Sequence, residues 1–526
     1  MNSANLMVKC LENEGVEYIF GLPGEENLEL MESLSNSNKI KFVTARHEQG
    51  AAFMADVYGR IRYKPGICLA TLGPGALNLM TGVASANLDH SPLVAITGQA
   101  DFKEMHKEQH QYIDIVGAFR PITKWNTRIS SPDSVPEVVR KAFRIATTEK
   151  FGATHIEFAN DIAKSETTAQ PLKIVKNAGF CSEEEEVKKA AGLITNAKYP
   201  IILCGNGVVR TQYAKELIAF AELSGIPVAK TFMSKGAIPG IHPLSLGTIG
   251  LKSRDYILEE FEKADLVITV GYDMVEYSPS YWNPDKNKTI IAIDSISEKF
   301  VDVHLQFDVE LVGDIKCNLN KLGKLLKKRQ FTKPEKLKEA VRKEREDFEI
   351  SYPLKAQHVL SALRKVMKED DILVSDVGEH KLLISRLFPT TKPNTVVISN
   401  GLASMGIALP GAIGAKFAAP DHNVFAVNGD GGFLMNVQEL ETAKRMNIPF
   451  VCIIVNDGSY GMIEKHQVNQ GKKIFGTKIG NPDFVKLAES FGARGYRVEK
   501  ASEIDEILKQ AVKSKELCVI DVPIKY

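Results

Sequence analysis

The stretch VFAVNGDGGFLMNVQELETAKRMNIPFVCIIVNDGSYG, residues 424–461, decides the reading of this chain. Val424–Asn428 and Phe450–Asn456 are apolar runs of strand length, and FLMNVQELETAKRMN between them has the apolar spacing of a helix. Continuous apolar strands joined by a helix are the pattern of a parallel sheet covered on both faces. Each strand ends in a glycine-rich turn, Gly429-Asp430-Gly431-Gly432 after the first and Asn456-Asp457-Gly458-Ser459 after the second. Ligands of doubly wound sheets sit beyond the carboxyl ends of strands. Glycines there admit a ligand close to the backbone, and free amides at a helix start favour a phosphate. An aspartate beside a phosphate repels it unless a cation lies between. Asp430 therefore asks for a divalent, oxygen-ligated ion such as Mg²⁺. Asp457, 27 residues later at the next strand end, is the natural second ligand. Alone, each reads first as a tight turn; on two successive strand ends they read as a site.

Outward from this unit the same alternation covers most of the 526 residues. Strands are expected at Val16–Phe20, Lys41–Thr44, Gly66–Thr71 and Leu93–Thr97, then at Pro200–Cys204, Pro227–Ala229, Leu266–Val270 and Thr289–Ile293. Ile372–Ser375, Thr395–Ile398 and Cys518–Val522 complete the set around the opening stretch. At roughly 100–200 residues per domain the length suits about three or four domains. A polar, turn-rich stretch near 164–186 and a Lys/Arg/Glu-rich stretch at 321–348 separate three of them. The expected fold class is α/β, with three doubly wound parallel-sheet domains at 1–165, 187–325 and 351–526.

Composition excludes other classes. Apolar residues are 44% and charged residues 25%, as in ordinary globular chains. Lys plus Arg (66) and Asp plus Glu (65) nearly cancel, which gives no reason to expect nucleic-acid or membrane-surface binding. Seven scattered cysteines without a C-x-x-C pair argue against a disulfide framework and a thiolate zinc site. They fit a reducing cytoplasm, and no secretory signal or membrane-spanning run is apparent. Gly205-Asn206-Gly207 lacks the third glycine of a dinucleotide loop, since Arg210 stands in its place, and no G-x-x-x-x-G-K-[ST] occurs.

The two turns at this spacing resemble the metal–diphosphate signature of thiamine-diphosphate-dependent enzymes. Arg46–Gly50 (RHEQG) and Gly73–Asn78 (GPGALN) resemble the matching half in the first domain. More narrowly, the chain resembles the acetolactate synthases, above all the catabolic, FAD-independent type. HEQGAAFMADVYGR (47–60), GYDMVEYSPSYWN (271–283) and SNGLASMGIALPGAIGA (399–415) carry that likeness.

The resemblance implies thiamine diphosphate and Mg²⁺ as cofactors. Asp430, Asp457 and the carbonyl of Ser459 match the metal ligands, and Gly429, Gly431, Gly432 and His380 the diphosphate site. Met405 matches the wedge that bends the cofactor, and the carbonyl of Ala403 the acceptor for its 4′-amino group. Gly24, Gly73, Asn78 and Met462 match further cofactor contacts. Glu48 matches the glutamate at N1′ of the aminopyrimidine, and Gln111 lines the substrate pocket. Glu379, Asn160 and His466 depart from the biosynthetic synthases, and GYDMVEYSP stands where flavin-binding relatives carry their flavin segment. These departures argue against FAD and against a branched-chain biosynthetic role.

The implied reaction joins two pyruvate molecules into 2-acetolactate with loss of CO₂. The implied assembly is a homodimer or homotetramer whose active sites lie at the subunit interface. Another thiamine-diphosphate-dependent decarboxylase or carboligase is the alternative. A flavin- or nicotinamide-dependent oxidoreductase is disfavoured by Arg210, and a non-catalytic relative by the complete Glu48/Asp430/Asp457 set.

Overall fold

The structure, a computed structural model, describes residues 1–175, 179–250, 255–330 and 335–526. It contains three parallel six-stranded sheets. The first comprises β1 (Tyr18–Gly21), β2 (Lys41–Thr44), β3 (Gly66–Ala70), β4 (Leu93–Gln99), β5 (Trp125–Arg128) and β6 (Ala153–Ala159), in the order β2-β1-β3-β4-β6-β5. The second comprises β7 (Pro200–Cys204), β8 (Val228–Lys230), β9 (Ser245–Thr248), β10 (Leu266–Val270), β11 (Thr289–Asp294) and β12 (Val309–Val312), in the order β12-β11-β10-β7-β8-β9. The third comprises β13 (Ile372–Ser375), β14 (Val396–Ile398), β15 (Val424–Gly429), β16 (Val451–Asn456), β17 (Arg494–Arg497) and β18 (Cys518–Pro523). β3, β4, β7 and β10 are buried along their whole length, which is why they read as unbroken apolar runs. Among the described residues no helix is long and apolar enough to cross a membrane.

The chain divides into two compact units. One holds Met1–Lys176, Gly401–Arg497 and Ala511–Asp521; the other holds Asn177–Asn400, Val498–Gln510 and Val522–Tyr526. In the first unit three helices pack unusually closely, and the glycines of the motifs explain how. A Cβ on Gly82 would fall 2.4 Å from Cβ of Ala52, so the Pro74–Leu88 helix lies directly on the Glu48–Arg62 helix. A Cβ on Gly414, in the Ala408–Ala418 helix, would fall 2.1 Å from the carbonyl oxygen of Met54. The stripes HEQGAAFMADVYGR and GIALPGAIGA are thus one helix contact written twice. A buried ion cluster locks it. Arg60 donates to Asp56 at 2.8 Å and to Asp89, and Asp89 accepts the Gly401 N–H at 2.6 Å.

The opening stretch departs from the sequence reading in one respect. Its single expected helix is two, Asp430–Met435 and Glu439–Arg445. Asn436 leaves the helix between them, and its Nδ2 donates to the Gly406 carbonyl at 2.8 Å. The first of the two already begins at Asp430, so Gly431 and Gly432 are helical rather than loop residues.

In the second unit the carboxyl ends of β7 and β10 are closed on each other. A Cβ on Gly205 would fall 2.3 Å from the Gly271 carbonyl oxygen. The Glu276 carboxylate accepts the N–H groups of Asn206 (2.9 Å) and Met233 (3.3 Å), and Arg210 pairs with Asp273 at 2.6 Å out of solvent. Arg210, standing where a dinucleotide loop would have glycine, serves this buried pair. The reading against a disulfide framework meets one exception here. Cys181 and Cys317 form a disulfide across 136 residues, a separation no local motif reveals.

Candidate active site

Glu48 is the first residue of its helix because His47 before it is extended and caps the helix, its Nδ1 accepting the Gln49 N–H at 3.1 Å. Glu48 is 9% exposed, and its carboxylate accepts from Asn78 Nδ2 at 3.0 Å. Its Oε1 lies 3.3 Å from where a Cβ on Gly75 would stand. Gly73 caps the start of the Pro74–Leu88 helix with φ +51°, and a Cβ there would meet the Gln111 carbonyl oxygen at 2.6 Å. Only glycine combines that conformation with that approach. Gln111 is itself left-handed, at φ +57°. Gly24 packs on Thr71 just beyond β3, where a Cβ would fall 2.4 Å from the threonine Cβ. Glu48, Gly73, Asn78, Gln111 and Gly24 thus gather at the carboxyl end of the first sheet.

Asp430 and Asp457 stand at the adjacent, hydrogen-bonded ends of β15 and β16. Asp430 is buried and accepts from the N–H groups of Gly431 (3.0 Å) and Gly458 (2.9 Å) and from Asn481 Nδ2 (2.6 Å). Asp457 accepts the N–H and hydroxyl of Ser459, both at 3.3 Å. Burial, and after it the charge of Asp430, pushes the Asp457 carboxyl up to about 6. The Tyr460 ring covers Gly431, where a Cβ would fall 2.8 Å from the ring. Ala403 is held left-handed at φ +53° in the 401–406 loop, which Asn436 ties to this region. A non-glycine residue so held is backbone strain of the kind that clusters at functional sites.

His380 lies in the other unit, buried in the first turn of the Glu379–Leu387 helix. Its Nε2 is enclosed without a hydrogen-bond partner among the described residues, and burial lowers the imidazole to about 4. Met462 and His466 stand on the Gly461–Asn469 helix, none of whose residues is buried. Asn160 follows β6 and donates to Asp101 at 3.2 Å.

Comparison with known proteins decides the family. Residues 1–118 match the thiamine pyrophosphate enzyme N-terminal TPP binding domain, 187–322 its central domain and 376–522 its C-terminal TPP binding domain. The chain is 35% identical to an acetolactate synthase of Bacillus subtilis over 536 residues, covering 99% of this chain and 93% of that one. It is 37% identical over 551 residues to a "probable acetolactate synthase large subunit" of Methanocaldococcus jannaschii, covering 100% and 92%. An acetolactate synthase of Mycobacterium bovis is 32% identical over 535 residues, covering 97% and 86%.

The chain belongs to the acetolactate synthases among the thiamine pyrophosphate enzymes.

For an acetolactate synthase the donor set fits the cofactor. In one unit, buried Asp430 and half-buried Asp457, which repel each other, suit a divalent cation; in the other, the enclosed Nε2 of His380 suits an anionic oxygen. Two residues escaped the sequence reading. Asn481 bridges Asp430 and Asn456 Oδ1 (3.0 Å) from a loop that no motif marked. Glu439 was hidden inside a stretch read only as a helix.

Proposed function

We propose that the protein joins two pyruvate molecules into 2-acetolactate with release of CO₂, using thiamine diphosphate and Mg²⁺ and no flavin. The observation that carries this reading is the Glu48–Asn78–Gly75 contact, found in a chain similar along its full length to acetolactate synthases. Asp430, Asp457 and the Ser459 carbonyl are the metal ligands of the proposal. Gly429, Gly431, Gly432 and His380 hold the diphosphate, and Gly24, Gly73, Ala403, Met405 and Met462 hold the rest of the cofactor. When bound, thiamine diphosphate supplies the nucleophilic carbon and the electron sink of the reaction.

Glu48 exchanges a proton with N1′ of the aminopyrimidine. The Asn78 amide, donating at 3.0 Å, fixes the carboxylate for this exchange. Gln111, exposed at the carboxyl end of the first sheet, orients the keto acid in this proposal.

The closed crevice of the second sheet supports the flavin-free reading. Glu276 takes the Asn206 amide just after β7, where a nucleotide phosphate would bind, and Gly205 meets Gly271. In the proposal the three sheets define domains at 1–165, 187–325 and 351–526, and the protein acts in the cytoplasm as a homodimer or homotetramer. Exposed apolar side chains on the first unit, Leu77, Leu88 and Leu402, support an assembly.

The test is a product assay. Purified protein, first checked for flavin absorbance, is incubated with pyruvate, thiamine diphosphate and Mg²⁺, and acetolactate and acetaldehyde are quantified together. Acetolactate as the main product without flavin is expected. Mostly acetaldehyde would move the reaction to simple decarboxylation.

A further inference from the structure

Glu439 opens the Glu439–Arg445 helix and is wholly buried. Its Oε1 accepts the backbone N–H of His47 at 3.0 Å and of Arg46 at 3.2 Å. Its Oε2 accepts the Arg46 N–H at 3.2 Å and the Thr442 hydroxyl at 2.7 Å. A Cβ on Gly50 would fall 2.6 Å from Oε1, so the glycine of HEQG leaves room for this carboxylate.

The chain order gives these bonds their meaning. Arg46 and His47 directly precede Glu48, and the Gln49 N–H after it is held by the His47 ring. The backbone is therefore tied on both sides of Glu48, while its side chain reaches Asn78. An enclosed carboxylate is costly where an apolar side chain would fill the same space. Here it meets the start of a 15-residue helix, where unpaired N–H groups favour an anion.

We infer that Glu439 is a positioning residue for Glu48, fixing the turn from which the Glu48 carboxylate leaves its helix. The inference rests on the reading of Glu48 as the proton-exchanging glutamate. A displacement of about 1 Å at such a group costs on the order of a hundredfold in rate.

The experiment uses the full-length protein carrying E439Q, T442V, E48Q or E48Q/E439Q. Three quantities are read: amide deuterium uptake of the 44–50 segment without cofactor, affinity for thiamine diphosphate with Mg²⁺, and deuterium exchange at C2 of the bound cofactor. E439Q is expected to speed amide exchange in the segment and to slow C2 exchange about tenfold or more, with affinity changed only a few-fold. In the E48Q background the same substitution is expected to slow C2 exchange no further. T442V, which keeps the carboxylate but removes its hydroxyl donor, gives a smaller effect in the same direction and serves if E439Q does not fold. Unchanged C2 exchange in both E439Q and T442V, or equal slowing by E439Q with and without E48Q, would overturn the inference. If E48Q alone leaves C2 exchange unchanged, the reading of Glu48 itself fails and the inference falls with it.

Discussion

Glu48 and Asp430 are each the first residue of a helix, and each is fixed by a partner amide, Asn78 for one and Asn481 for the other. Replacing Asp430 with alanine removes half of the carboxylate pair. Mg²⁺-dependent binding of thiamine diphosphate should then be lost, as titration calorimetry with and without Mg²⁺ will show; retained Mg²⁺-dependent binding would exclude Asp430 as a ligand.

His155 offers a test of electrostatics away from the site. It is buried on β6, stacked on Phe119 and hydrogen-bonded to Thr97, and burial lowers its imidazole to about 3. The unfolded chain takes up this proton near pH 6.5, so the stability it contributes is present above that pH and is lost as pH falls toward 3. Glu276 has the opposite sign. Burial, then Asp273, raises it to about 7 from 4.5, so its contribution falls as pH rises through that window. Comparing wild type with H155Q cancels Glu276 and isolates the histidine. H155Q is expected to be less stable at pH 8, with a deficit that shrinks by up to about 1.4 kcal/mol per unit below pH 6.5. A pH-independent deficit in thermal or denaturant midpoints would contradict this.

At the scale of elements, the Glu48–Arg62 and Pro74–Leu88 helices and the 401–406 loop meet at Arg60, which pairs with Asp56 and with Asp89, itself bound to the Gly401 N–H. R60M leaves two buried carboxylates without their cation. It should cost on the order of 3–5 kcal/mol in denaturant unfolding, whereas a loss under ~1 kcal/mol would show that the cluster is not a lock.

Elements also show what was legible in the sequence. Central strands such as β3, β4, β7 and β10 were plain because both faces are covered. β5, β9, β12 and β17 went unseen; they are edge strands, free to carry polar residues such as those of Trp125–Arg128 (WNTR). β6 was missed for another reason. His155 and Glu157 interrupt its apolar run, yet both are enclosed, His155 on Thr97 and Glu157 with Arg128 and Gln99. Of the site, glycine-rich turns and strand-end aspartates could be read directly. Glu439 and Asn481 could not, because a polar residue on a helix or in a loop looks the same whether it faces solvent or a buried amide.

At the scale of the molecule, the cysteines give a direct count. The Cys181–Cys317 pair leaves Cys10, Cys68, Cys204, Cys452 and Cys518 as thiols. Denatured protein kept from reductant should titrate five thiols, and seven would mean that the pair is reduced. The proposed assembly predicts a solution mass of at least twice 58.0 kDa by light scattering. A monomer that still forms acetolactate would remove the shared-site reading.

In the proposed mechanism Glu48 performs the proton exchange that makes this cofactor reactive. The most direct test of this role is E48Q, measured for acetolactate formation from pyruvate and for thiamine diphosphate affinity in the same preparation. Turnover is expected to fall by about 10²–10⁴-fold, with affinity changed only a few-fold. Turnover equal to wild type at saturating cofactor would contradict it.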